Sequence, residues 1–350
     1  MTRIRALGAG PDRVAGVVIL VVAVCAPVIF NDYWVGTLLT QMLIFGIVAA
    51  SLIFLSAYGG MVSLAQVALF GVAGFALGNM TTMGNTKGLN LAWEPWLGVV
   101  LAIVIAGVVA VVFGALSSRS FGIYFLMITL TLSVIANLFF GQVVTFSGFG
   151  GISGIPTPAV LGTAEAHQDR LYYVALGVAL AVYFLLRYIV RTPFGLALQG
   201  IRDDPVRMSS LGYHVALHRT IGFAFAGLIA GVGGVLFAWW NGHIDPATID
   251  LGSTIDVLVI AVIGGLLRLE GAWLGALVFV VINNYSPRIG FIGDRFHTLI
   301  GAIFLVIVLL SPAGLMGLWE RAVQPYRRGL RGGGPAHQTA VDPRSASTGV

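Results

Sequence analysis

Charge is what this chain has least of. Only 9% of its 350 residues are Asp, Glu, Lys or Arg, against about 25% in an ordinary soluble domain, so the polar side chains are too few to cover a globule in water. Cysteine is nearly absent: the single Cys25 lies within an apolar run, which excludes a disulfide framework, a thiolate metal site and an iron–sulfur cluster. The phosphate-binding pattern GxxxxGK[ST] does not occur, so the chain does not hydrolyse ATP by that route, and energy from a nucleotide must come from a partner. His214 and His218 stand four apart without a glutamate between them or a third ligand nearby. They are read as surface charge, and neither a metal nor another cofactor is expected. The net charge of +5 and the pI of 9.6 do not point to nucleic acid, because the arginines stand beside apolar spans, where they orient a protein in a bilayer.

What the chain has in excess is apolar length. Hydrophobic residues make up 58% of it, mean hydropathy is +0.95, and its runs approach the roughly 20 residues that cross a hydrocarbon core as a helix. Lipid leaves irregular backbone unsatisfied, so the fold class is all-α, a polytopic membrane protein of about ten transmembrane helices. The spans are read at 14–30, 36–57, 61–80, 96–117, 122–141, 171–190, 220–240, about 253–267, 271–285 and 296–311. The first is taken as a retained helix, because no small-residue cleavage site follows it. Residues 1–13 form an N-terminal segment, 14–320 the membrane domain, and 321–350 a polar tail expected to be disordered. The glycine- and proline-rich stretch within 142–170 reads as a long external loop that folds partly back onto the protein. Trp239 and Trp240 end the seventh span, where an interfacial aromatic belt is expected. Gly59-Gly60 and Gly264-Gly265 each end a span and precede a glycine-rich one, which suggests two related halves.

Arginine and lysine set the orientation. With the N-terminus inside, fifteen of them fall on the cytoplasmic side and four, Lys87, Arg170, Arg288 and Arg295, outside, which favours ten spans with both termini in the cytoplasm. The densest group lies in residues 191–219. There Thr192 precedes Pro193, and Asp204 precedes Pro205, the N-cap and first-position signals of two short helices. Gly212 supplies a left-handed C-cap. Helices this short need something to pack against, so the loop is expected to lie at the membrane surface and meet a partner.

A few residues inside the spans carry chemistry. Ser63 and Gln66 stand among Gly71, Gly74 and Gly78, a combination that suits a translocation path or close helix packing. Tyr124 and Asn137 are further candidates for such a path. Asp256 is a carboxylate within the eighth span, open to three readings: ion coupling, a substrate path, or pairing near the external interface. Gly151-Ile152-Ser153-Gly154 has the form of the nucleophile motif of intramembrane serine proteases, with His243 as a base. Both residues fall in loops, however, and nothing in the sequence fixes their geometry.

Several stretches together resemble the membrane subunits of branched-chain amino acid ABC importers, over roughly 36–320. They are YGGMVSLAQVALFGVAGF at 58–75, GIYFLMITL at 122–130, GGISGI at 150–155, FGLALQGIRDD at 194–204 with LGYHV at 211–215, and SPAGLMG at 311–317. The chain departs from the family's usual pattern at Leu196, Gln199, Pro205, Leu267 and Ala272. Permeases for urea and amides are close relatives of that family. The resemblance implies a permease without enzymatic activity of its own in a bacterial plasma (inner) membrane. It also implies a heterodimer with a sister permease, two cytoplasmic ATPase subunits, and an extracytoplasmic binding protein that delivers a small solute, most readily a branched-chain or other hydrophobic amino acid. The residues that would couple to the ATPase are Phe194, Gly195, Arg202, Asp203, Asp204, Arg207 and Gly212. The alternative from another class is an ion-coupled secondary transporter built around Asp256.

Overall fold

The computed structural model describes residues 21–27, 31, 33–83, 88–158, 168–285, 301, 305 and 314–317. The expected N-terminal segment, most of the first and tenth spans, and the tail from 321 lie outside them. The described chain is helical almost throughout. A π-helical stretch, Trp34–Leu39, runs into α1 (Thr40–Gly59), and then follow α2 (Gln66–Thr81), α3 (Pro95–Ser117), α4 (Gly122–Gln142) and α5 (Gln168–Ile189). After the short α6 (Pro193–Asp203) and α7 (Pro205–Ser210) come α8 (Val215–Asn241), α9 (Leu251–Gly264) and α10 (Gly271–Tyr285). Among the described residues five helices are long and apolar enough to cross a membrane, the first counted from Trp34, while α2, α9 and α10 are apolar but shorter.

Small residues decide how these helices pack. The buried face of α3 is Gly98, Ala102, Ala106, Ala110 and Gly114, one small residue per turn, so the α8 backbone can approach closely. A methyl added at Gly227 of α8 would overlap Ala110, and one at Gly231 would stand 3.0 Å from Ala106. On its other sides α8 packs on α1 and α2, and Gly234 meets the backbone carbonyl of Phe70. Thus α8 is the central post of the described fold.

The glycines of α2 have a second use. Gly71 receives Ile249, Gly74 receives Ile244, and Gly78 faces Ile152, so α2 is grooved to seat the segments that cover one end of the bundle. Those segments include the only two strands among the described residues, β1 (Ile152–Ser153) and β2 (His243–Ile244), which pair antiparallel. The stretch 142–170, expected to fold back, does so through this pair as far as it is described.

Three expectations need correction. The third span is not continuous from 61, because Met61–Ser63 has no regular structure and Leu64–Ala65 is a turn, and helix resumes only at Gln66. Gly60, in the left-handed region at φ 63°, ends α1, and side chains then replace the helical ladder: the Leu64 amide donates to Thr129 Oγ1 at 3.2 Å and the Ala65 amide to Ser63 Oγ at 3.2 Å. The seventh span begins at Val215, five residues before the expected 220, since His214 supplies no side-chain cap to mark the start. Trp239 and Trp240 do not form a belt. Trp239 is buried in the core, and Trp240 Nε1 donates to the Gly36 carbonyl at 2.8 Å.

Candidate functional site

The arginine-rich end of the bundle carries the two short helices. Thr192 Oγ1 accepts from the Gly195 amide at 3.4 Å to cap α6, and Asp204 Oδ1 accepts from the Arg207 amide at 2.9 Å to cap α7. Beyond α7 the Gly212 amide bonds the Ser209 carbonyl at 3.0 Å and the Tyr213 amide the Met208 carbonyl at 3.1 Å. With Gly212 at φ 90° this is a Schellman closure, the hydrogen-bond pattern that ends many helices at a left-handed glycine. Docking of α6 rests on Gly195, Ala197, Leu198 and Ile201, which it buries. Leu198 is fully buried and lies against Gly59 at the end of α1 and Gly222 of α8.

The seven residues expected to couple at this end divide into two groups. Gly195 faces inward, where a side chain would overlap the Ile189 carbonyl, and Phe194 stacks on His218 with ring centroids 6.0 Å apart. Arg202 is shared: its guanidinium donates to the Ala57 carbonyl and forms a 2.7 Å ion pair with Asp203, fastening α6 to the end of α1. Asp203, Asp204, Arg207 and Gly212 are exposed. So are three apolar side chains beside them that are not among the seven: Leu196, one of the departures from the family pattern, at 60%, Val206 at 75% and Leu211 at 66% exposure. Apolar residues within a polar loop were the available signal.

Within the bundle a polar seam joins α4 to α9. Thr129, Ser133 and Asn137 recur every fourth residue along α4 and so share one face. Thr129 receives the Leu64 amide, Ser133 Oγ lies 3.3 Å from Thr254 Oγ1, and Asn137 Nδ2 donates to the Pro246 carbonyl at 2.6 Å. An open cavity of about 230 Å³ lies along this seam, with Ser133, Asn137 and Thr254 as its polar wall. Asn137 thus lines a cavity together with Ser133 and Thr254. Tyr124 does not join it: this side chain is 76% exposed and lines neither of the two cavities described here. Ser63 and Gln66 are fully buried and also line neither cavity. Gln66 Oε1 accepts from Ser51 Oγ at 3.2 Å, a helix-to-helix tie of the packing kind.

Asp256 lines a second cavity, of about 140 Å³, between α1, α2, α8, α9 and α10. Ser253, Asp256, Val257 and Ile260 form its α9 wall, a spacing that places all four on one helix face.

At the hairpin end the strands do fix a geometry where none was expected. Ser153 pairs with His243, Ser153 Oγ lies 2.8 Å from His243 Nδ1, and His243 Nε2 lies 3.5 Å from Asp245 Oδ2. Asp245 Oδ1 is engaged in capping the turn at Pro246–Ile249 through the Thr248 amide and hydroxyl, at 3.0 and 2.8 Å. Neither cavity includes this trio, which acts as a surface clip between two loops.

Comparison with known proteins agrees with this architecture. The family described as branched-chain amino acid transport system / permease component matches residues 35–309. The high-affinity branched-chain amino acid transport system permease protein LivM of Salmonella typhimurium is 27% identical over 179 residues, 49% of this chain, and the match spans only 38% of that relative's length. A probable branched-chain amino acid transport permease protein LivM of Methanocaldococcus jannaschii is 25% identical over 292 residues, 78% of this chain and 84% of the relative. The nucleoside ABC transporter permease protein NupC of Lactococcus lactis is 30% identical over 166 residues, 45% of this chain and 50% of the relative. No solved structure matches the chain. A multi-pass helical membrane protein with this match over most of its length belongs to the family of branched-chain amino acid transport system permease components.

Proposed function

We propose that the chain is a membrane-spanning subunit of an ATP-driven importer that carries a small solute inward, with a branched-chain or other hydrophobic amino acid as the substrate class. In this reading it pairs with a sister permease, two cytoplasmic ATPases supply the energy, and an extracytoplasmic binding protein delivers the solute. The membrane domain spans 14–320 in a bacterial plasma membrane, with both termini cytoplasmic. The observation that carries this reading is the docked pair α6–α7. It is capped at both starts, pinned to α1 by Arg202, and presents Leu196, Val206 and Leu211 beside Asp203, Asp204 and Arg207, an apolar patch rimmed with charge that suits a protein partner.

The α4–α9 seam is the chain's half of the path, and a sister subunit closes its open side. A second reading, an ion-coupled secondary transporter, is favoured only by the carboxylate of Asp256 in its cavity. Reconstitution with the candidate ATPases and binding protein decides between them. Uptake that requires ATP and survives collapse of the ion gradients supports the importer; uptake that follows the gradient and ignores ATP overturns it.

A further inference from the structure

The boundary where α5 ends brings together groups that the transport reading does not use. Arg187 stands in the last turn of α5, and Arg191 follows in the turn that leaves it, its amide bonded to the Tyr188 carbonyl at 3.0 Å. The connection between α9 and α10, residues 265–270, is fastened against them. The Leu266 carbonyl accepts from Ser56 Oγ at 3.2 Å, and Glu270 Oε1 accepts from the Tyr183 hydroxyl at 2.9 Å and lies 3.3 Å from Arg187 Nη1. Arg268 belongs to the same connection. The charges of Arg187, Arg191, Arg268 and Glu270 all reach the Tyr58 hydroxyl at the end of α1, so the four converge on one place. Glu270 fixes where Arg187 stands, but it does not engage Arg191. That guanidinium is exposed and has no hydrogen bond or ion pair among the described residues.

Beside these charges runs an apolar strip. Helix α5 packs on α1, on the π-helical stretch and on α8, and it turns Gly177, Ala181, Phe184, Leu185 and Tyr188 outward, positions three and four apart that share one face. Gly177 and Ala181 keep the strip shallow in its middle. Tyr188 ends it with an exposed ring next to the arginines, where a side chain with an apolar body and a polar tip suits the membrane interface. A protein in the cytoplasm could pair with the arginines but not reach a face that lies along a span. Another span could cover that face but brings no anion to Arg191. An anionic phospholipid does both, its acyl chain along the strip and its phosphate on a guanidinium, whose N–H fork matches phosphate oxygens.

We propose that the end of α5 is a binding site for one anionic phospholipid, with Arg191 holding the phosphate, Arg187 beside it, and the strip from Gly177 to Tyr188 seating an acyl chain. Thr192, the cap of α6, follows Arg191 directly, so the bound headgroup stands at the root of α6. The site does not depend on what powers transport.

The test reads which lipid stands next to α5. The full complex, otherwise free of cysteine, carries Cys25→Ser and Leu185→Cys labelled with bimane, in nanodiscs of phosphatidylcholine. Quenching by phosphatidylglycerol brominated on its acyl chains is compared with quenching by phosphatidylcholine brominated in the same way. Phosphatidylglycerol is expected to be favoured about tenfold at the label, and Arg191→Gln should bring this down to about twofold, since one arginine at an anionic headgroup is worth about fivefold. Arg191→Lys should keep most of the preference. Arg119→Gln, the same loss of charge on the α3–α4 connection, should leave it intact. Phe184→Cys takes the label if Leu185→Cys fails to assemble. Equal quenching by the two lipids overturns the site. So does an equal loss of preference in Arg119→Gln and Arg191→Gln, which would reduce the effect to the general attraction of a basic surface. A preference abolished by millimolar inorganic phosphate overturns it too, because the occupant would then be a free anion.

Discussion

Leu198→Ala separates packing from capping as the force that holds the two short helices in place. An isolated helix of eleven residues is not stable in water, so α6 exists because it is docked, and Leu198 is its fully buried contact with the ends of α1 and α8. Truncating a buried leucine costs about 2–5 kcal/mol, and at about 3 kcal/mol the docked state is disfavoured some ~150-fold. Removing the α7 cap by Asp204→Ala costs only about 1 kcal/mol, or about fivefold. Amide hydrogen exchange in nanodiscs measures both, since exchange through local opening follows the free energy of that opening. Leu198→Ala should accelerate the amides of 197–203 by two orders of magnitude. Asp204→Ala should affect 207–212 by less than one. If the two variants accelerate exchange equally, or Leu198→Ala leaves protection unchanged, docking does not rest on this contact, and the basis for treating α6–α7 as a preformed partner surface is lost.

Further predictions follow from individual contacts. Gly234→Ala should prevent recovery of folded protein in detergent, because its methyl overlaps the Phe70 carbonyl, whereas Gly177→Ala, with open space around it, should leave yield and melting temperature unchanged. Arg219 is buried, donates to the Ser118 carbonyl at 2.6 Å and lies 4.1 Å from the Phe121 ring centroid. Thermal unfolding of Arg219→Ala should show a loss of about 2 kcal/mol, and Arg219→Lys should not restore it, because an ammonium lacks the planar group that stacks and bonds at once. Cysteines in place of Ser153 and His243 should form a disulfide on mild oxidation, since paired antiparallel residues fall within disulfide reach; a persistent thiol pair would contradict the register. Ser209→Cys and Ser153→Cys should react with an impermeant reagent from opposite faces of the membrane, and labelling from one face would refute the orientation inferred from the arginines.

Local chemistry was legible in the sequence, and long-range geometry was not. Thr192-Pro193 and Asp204-Pro205 announced two helix starts, and Gly60 and Gly212 announced ends, because each acts through its own backbone. The start of α8 at Val215 was missed, since His214 and Arg219 read as surface charge. Arg219 in fact sits among Met61, Ser118 and Phe121, residues about 100 to 160 positions away. The break at Met61–Ala65 was hidden by its apolar composition. The Asp256 cavity collects side chains from five helices, and the polar seam matches α4 against α9; no window along the chain contains either. The two-residue strands were likewise beyond reach, because Ile152 and Ile244 pair across 92 positions.

The gap in helix between Gly60 and Gln66 has a mechanical consequence. In a continuous helix, bending at one point strains a run of carbonyl–amide bonds, whereas here the Leu64 amide is held by one hydroxyl, that of Thr129 on another helix. Loss of that hydroxyl frees one amide and not a turn of ladder. The joint is also packed, with Met61, Ser63 and Ala65 buried, so side chains rather than a helical ladder fix the direction in which α2 leaves α1, and α4 takes part in setting it through Thr129.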